Sequence, residues 1–132
     1  MRNPPEGYPR VTPYLLYEDA AAAIEYLTHT FGFTLRRTET GAAGRIHAEL
    51  LLGQDGLVML GQAGEGFKGP RSLDAFPAAL VHVYVEDVDA LAAAARAAGA
   101  DVPALEDSPA GDRRFTIEDP EGQVWVFAQR VR

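Results

Sequence analysis

His47 and Glu49 stand two residues apart in the 132-residue chain, inside the apolar run from Ile46 to Leu52. On a strand that spacing puts both side chains on one face. An imidazole beside a carboxylate can act as a general base or hold a metal ion, and His82 is a further candidate for either role. The alternative is a hydrogen-bonded pair at a cleft edge. Tyr14, Tyr84 and Phe67 carry rings suited to stacking on a planar ligand or to ordinary packing. Arg113 and Arg114, adjacent on a predicted strand, point to opposite faces, so one of them can reach a site and pair a carboxylate while the other stays in water.

The elements that must position these groups come in two copies. Tyr14-Leu15-Leu16-Tyr17-Glu18-Asp19 returns as His82-Val83-Tyr84-Val85-Glu86-Asp87, 68 residues later. Each copy runs from an apolar strand through an acidic pair into an alanine-rich helix closed by a glycine, Gly32 or Gly99. Each ends in a hairpin, at Gly53-Gln54-Asp55-Gly56 and at Asp119-Pro120-Glu121-Gly122. A repeat of this length holds several elements and suits half of a two-module domain. The reading is a single α+β domain over residues 1–132, with two pseudo-symmetric βαβββ modules forming a curved mixed sheet around a cleft. Module one covers about 10–61, a Gly/Pro-rich crossover 62–79, and module two about 80–130.

Within the modules, the first strand is expected from Val11 to Tyr17, with Asp19 as N-cap of a helix whose stripe is Ala20, Ala23, Ile24, Leu27 and Phe31. The second module is expected to have a strand from Leu80 to Val85 and a helix from about Val88 to Ala98 packed through Leu91, Ala94, Ala95 and Ala98. Strand alternation gives Val81, Val83 and Val85 to the helix side. Leu80, His82 and Tyr84, with Thr12, Tyr14 and Leu16 in the matching strand, then form the candidate ligand wall. Trp125 and Phe127 fall on the core side.

Composition narrows the function classes. Twelve basic and nineteen acidic residues give a net charge of −7, which repels nucleic-acid phosphates and anionic lipid and favours a neutral or basic small molecule. With no cysteine there is no disulfide, thiolate metal site or cysteine nucleophile. No apolar run approaches the ~20 residues of a membrane span, and no signal-like stretch follows Met1, so a cytoplasmic location is expected. A pure association module would need an exposed apolar patch, and none is evident.

The order and spacing of Val11-Thr12-Pro13-Tyr14, Ala23-Ile24-Glu25-Tyr26, Phe31-Gly32-Phe33, Tyr84-Val85-Glu86-Asp87-Val88-Asp89, Arg113-Arg114-Phe115 and Asp119-Pro120-Glu121-Gly122-Gln123-Val124-Trp125 are similar to the vicinal oxygen chelate superfamily, the group of glyoxalase I, bleomycin resistance proteins and extradiol dioxygenases. The resemblance implies the paired βαβββ fold and a homodimer. It also implies four metal-ligand positions, which fall here on Thr12, on Met59 or Leu60, on Leu80 and on Val126. None of these is a suitable donor for a divalent cation. The expectation is therefore a cofactor-free, metal-free binding protein that sequesters an antibiotic or another toxic or basic ligand. Thr12, Tyr14, Phe67, His82, Tyr84, Arg113 and Arg114 are its candidate ligand contacts. The alternative is a lyase or isomerase working through His47, Glu49, His82 and a tyrosine, without metal or with an off-pattern one.

Overall fold

The computed structural model describes residues 1–132 and resolves into two compact units, one of residues 1–28 with 32–67, the other of residues 29–31 with 68–132. In the first unit come β1 (Tyr14–Tyr17), α1 (Ala20–Phe31) except its last three residues, which belong to the second unit, β2 (Thr34–Thr40), β3 (Ile46–Leu52) and β4 (Gly56–Gln62). The second holds β5 (Val81–Tyr84), α2 (Val88–Ala97), β6 (Glu106–Asp107), β7 (Asp112–Glu118) and β8 (Val124–Arg130). Each unit builds its own four-stranded mixed sheet, in the order β1-β4-β3-β2 and β5-β8-β7-β6. The first and last strands of each run parallel and the rest antiparallel. The repeat read in the sequence is thus a repeat of topology. No helix is long and apolar enough to cross a membrane.

The helices start as their sequences dictate. Asp19 and Asp87 cap α1 and α2 by accepting from the amides of Ala22 (3.0 Å) and Ala90 (2.9 Å), each satisfying one of the orphan donors of a helix start. Gly32 closes α1 in the left-handed region (φ 77°), where a Cβ would be strained. Along α1 the buried positions are Ala20, Ala23, Leu27, Thr30 and Phe31. In the second unit the ring of Phe31 lies 4.6 Å from that of Phe127, which also meets Phe115 and Trp125.

Three sequence expectations are corrected. β1 begins at Tyr14, not Val11: Pro13 has no N–H to give the ladder, its carbonyl accepts from Met59 (2.9 Å), and Val11 is exposed. Thr12 therefore precedes the strand. Leu80 likewise lies outside β5, which is confined to Val81–Tyr84. The buried stripe of α2 is Val88, Ala92 and Ala95, with Ala94 exposed, because the stripe takes its phase from Val88, which sits in the first turn right after the Asp87 cap.

The crossover is pinned within the second unit. Arg71 donates to the carbonyls of Pro120 (2.8 Å) and Asp119 (3.2 Å), while its own amide donates to the Glu121 carbonyl. Gly122 makes this approach feasible, since a Cβ there would stand 2.8 Å from the Arg71 nitrogen. Beneath the turn, Asp119 is buried and accepts from the amides of Glu121 and Gln123 and from Trp125 Nε1 (3.1 Å). One carboxylate thus fixes both the hairpin and the largest core side chain.

Candidate ligand site in the first unit

Register brings the first-unit candidates to one sheet face. Tyr14 pairs with Met59 and Met59 with Glu49, while Leu16 pairs with Gly61 and Gly61 with His47. Directly opposed residues share a face, so Tyr14, Leu16, His47, Glu49, Met59 and Gly61 point the same way. On it opens a pocket of about 520 Å³, walled by Tyr14, Leu16, Ile46, His47 and Phe67, with Arg45 and Glu65 also in its lining. That volume is in the range of about 300–1,000 Å³ usual for small-molecule sites. Phe67 reaches it from the start of the crossover.

Tyr14 and His47 form a unit. The phenol oxygen is 2.9 Å from His47 Nδ1, with the rings stacked at 5.3 Å. The tyrosine crosses β4 to get there, passing over Gly61, where a Cβ would collide with the phenol oxygen. Sequence alternation predicts the face of Tyr14 but not this crossing.

Glu49 has other work. It is 4% exposed, and its oxygens accept from Tyr8 (2.9 and 3.1 Å) and Arg36 Nε (3.0 Å), with Arg36 Nη2 also 2.9 Å away. Burial pushes the Glu49 carboxyl up, but hydrogen bonds from Arg36 and Tyr8 and the charges of Arg36 and Arg37 outweigh it and hold it below the ordinary value. An ionised carboxylate so engaged is a poor proton acceptor. The His47–Glu49 approach is 4.0 Å, too long for a hydrogen bond. Tyr8 and Arg36 carried no signal in the sequence: one lies in the N-terminal tail, the other at a register shift in β2. The arginine also lies 4.2 Å over the Tyr8 ring.

In the second unit His82 pairs with Val126, and Tyr84 with Ala128 and through it with Arg114. His82 and Tyr84 are exposed, as alternation predicts, with ring centroids 5.0 Å apart. The Tyr84 hydroxyl donates to Asp112 (2.8 Å), which also accepts from Arg130 Nε (2.6 Å); these two hydrogen bonds hold the Asp112 carboxyl below its ordinary value. Arg114 is on the His82–Tyr84 face and pairs with Glu106 (3.4 Å). Arg113 is on the helix side, bound to Asp107 (2.9 Å) and Asp89 of α2 (3.3 Å). The two arginines thus point to opposite faces of the sheet, as the alternation predicts, and each pairs with carboxylates of the chain.

Two glutamines escaped the sequence reading although they recur 67 residues apart. Gln62 Oε1 accepts from the Ala20 amide (2.9 Å), and Gln129 Oε1 from the Val88 amide (3.0 Å). Each ties the last strand of its module to the first turn of its helix, supplementing the aspartate cap.

The metal positions implied by the resemblance can be tested on donor chemistry. Met59, not Leu60, is the equivalent of Val126: Met59 stands opposite Tyr14 as Val126 stands opposite His82. Thr12, Met59, Leu80 and Val126 do not fit a divalent cation, which calls for imidazole, carboxylate or thiolate. No group of three or more histidine or acidic side chains is placed to hold a metal ion elsewhere.

Comparison with known proteins agrees with this architecture. Residues 9–127 match the Glyoxalase/Bleomycin resistance protein/Dioxygenase superfamily. An uncharacterized protein of Mycobacterium tuberculosis strain H37Rv is 37% identical over 131 residues, covering 94% of this chain and 76% of that protein. TioX from Micromonospora sp. ML1 is 33% identical in sequence, with a TM-score of 0.71 over 90% of this chain and 94% of that one. FosX, a fosfomycin resistance protein from Listeria monocytogenes, shares the fold at 10% identity, with a TM-score of 0.65 over 90% of each chain. The chain belongs to the Glyoxalase/Bleomycin resistance protein/Dioxygenase superfamily.

Proposed function

We propose that the protein binds and sequesters a small molecule in the pocket of the first unit, without a metal ion. The observation that carries this reading is the pocket itself: Tyr14, His47, Phe67, Leu16 and Ile46 provide aromatic, polar and apolar wall around about 520 Å³. The family's metal positions, filled by Thr12, Met59, Leu80 and Val126, support binding over metal-dependent turnover. The negative net charge disfavours nucleic acid and anionic membranes as partners and steers a basic guest more readily than an acidic one at long range. At close range the pocket's own Arg45 and Glu65 matter more. We further propose that the protein acts in the cytoplasm as a homodimer, which sedimentation would test. Metal analysis of purified protein with a thermal-shift screen tests the main reading, because a ligand of the native state raises stability by RT ln(1 + [L]/Kd). Ligands that raise the melting temperature of chelator-treated protein are expected, and a shift that appears only with added metal would overturn it.

A second reading is favoured by one distance. Tyr14 Oη and His47 Nδ1, 2.9 Å apart on the pocket wall, are within reach for general acid–base chemistry on a bound molecule, as in a lyase or isomerase. Mass spectrometry of a hit ligand incubated with the protein decides. Product that disappears in His47→Asn while binding persists establishes the enzyme, and unchanged ligand leaves sequestration.

A further inference from the structure

We propose that Arg45 is a carboxylate anchor, so that the first-unit pocket takes small organic acids with an aromatic or apolar body; this rests on reading that pocket as a small-molecule site. Arg36 and Arg37, on β2, are paired with Glu49 and Glu39. Arg45, in the pocket lining, is bonded within the chain only through its backbone, to Gly41 and Ala42; its exposed guanidinium has no hydrogen bond or ion pair, and Glu65 of the same lining does not pair with it. The guanidinium presents its flat face toward Gly64: a Cβ there would stand 3.4 Å from Cζ and Nη2 and 3.5 Å from Nη1, ordinary contact distances. A planar fork with its N–H groups unspent is the donor arrangement that grips a carboxylate bidentately. Leu16, Ile46 and Phe67 provide the surface for the apolar body, and Tyr14 a polar limit to it. The net charge of −7 opposes an anion at a distance, but salt screens that field beyond about 8–10 Å.

The test is an NMR titration of the full chain, reading the arginine Nε–Hε and backbone amide signals, with three probes of similar size: 3-phenylpropionate, 2-phenylethylamine and 3-phenylpropanol. The acid is expected to shift Arg45 Nε–Hε and the amides around His47 and Gly64, and to bind roughly ten-fold or more tightly than the alcohol, the margin of a charge-assisted pair. Arg45→Gln should erase that margin, and Arg45→Lys should keep part of it. If the amine or alcohol binds this pocket as well as the acid, the anchor is wrong while the small-molecule reading stands. An acid whose shifts avoid Arg45, an Arg45→Gln affinity equal to wild type, or no shift in the pocket with any probe would also overturn it.

Discussion

Tyr14 reaches His47 by lying across Gly61. The two partners are on β1 and β3, with β4 between them, and the missing side chain of Gly61 leaves the passage for the phenol. Local sequence, sheet register and the pocket wall meet at this crossing. Gly61→Ala should leave the backbone undisturbed but push the ring aside and break the hydrogen bond. We expect a stability loss of about 1 kcal/mol, that of one typical hydrogen bond, with a changed His47 ring environment by NMR and weakened binding of any ligand that uses this wall. An unchanged His47 signal would refute the geometry.

Glu49 makes the protein sensitive to acid. Its folded carboxyl lies below the ordinary value of 4.5, so the stability it contributes is fully present above the unfolded value and is lost as pH falls through the folded one. Wild-type stability should therefore decline below about pH 4.5, in part through this group. Glu49→Gln removes the charge facing Arg36, and should cost on the order of 1–3 kcal/mol at neutral pH. Its acid decline should be shallower. Urea melts across the range check this, and a variant curve parallel to wild type would contradict it.

Trp125 and Tyr84 should separate core from surface. Trp125 is 0% exposed, so Trp125→Ala should destabilise by about 3–5 kcal/mol, as large core truncations do. Tyr84 is 57% exposed but its hydroxyl serves Asp112. Tyr84→Phe should cost only about 1 kcal/mol, the share of one hydrogen bond. Equal losses in denaturant melts would show the two faces of the second sheet to be misassigned.

The paired glutamines offer a test of the repeat. Gln62→Ala and Gln129→Ala each leave a helix-start amide without its partner, Ala20 in one and Val88 in the other. Each should cost about 1 kcal/mol, like a lost cap. Gln62→Ala should cost the more of the two, because Gln62 Nε2 also donates to the Glu18 carbonyl, and a neutral effect at either site would break the equivalence.

The duplicated architecture was legible because it is written in local patterns: a capping aspartate, a closing glycine, a Pro-and-Gly turn and valine alternation in β5. The site was legible in its types and less in its partnerships. His47, Tyr14 and Phe67 do meet at one pocket, but nothing local tells that Glu49 belongs to Tyr8, 41 residues away, or that Arg113 belongs to an aspartate on α2. Such pairings are decided by register and by long side chains, which alternation cannot follow. Arg45 was missed for a different reason: what marks it is an unpaired guanidinium beside a pocket, a property that exists only once the side chains around it have been placed.

The most direct measurement is a ligand screen on chelator-treated protein with the Tyr14, His47 and Phe67 resonances as the readout. The account predicts a ligand that shifts all three and binds with the same affinity when zinc, nickel or manganese is added. A ligand that binds only with metal present, or whose shifts leave these residues untouched, would contradict it.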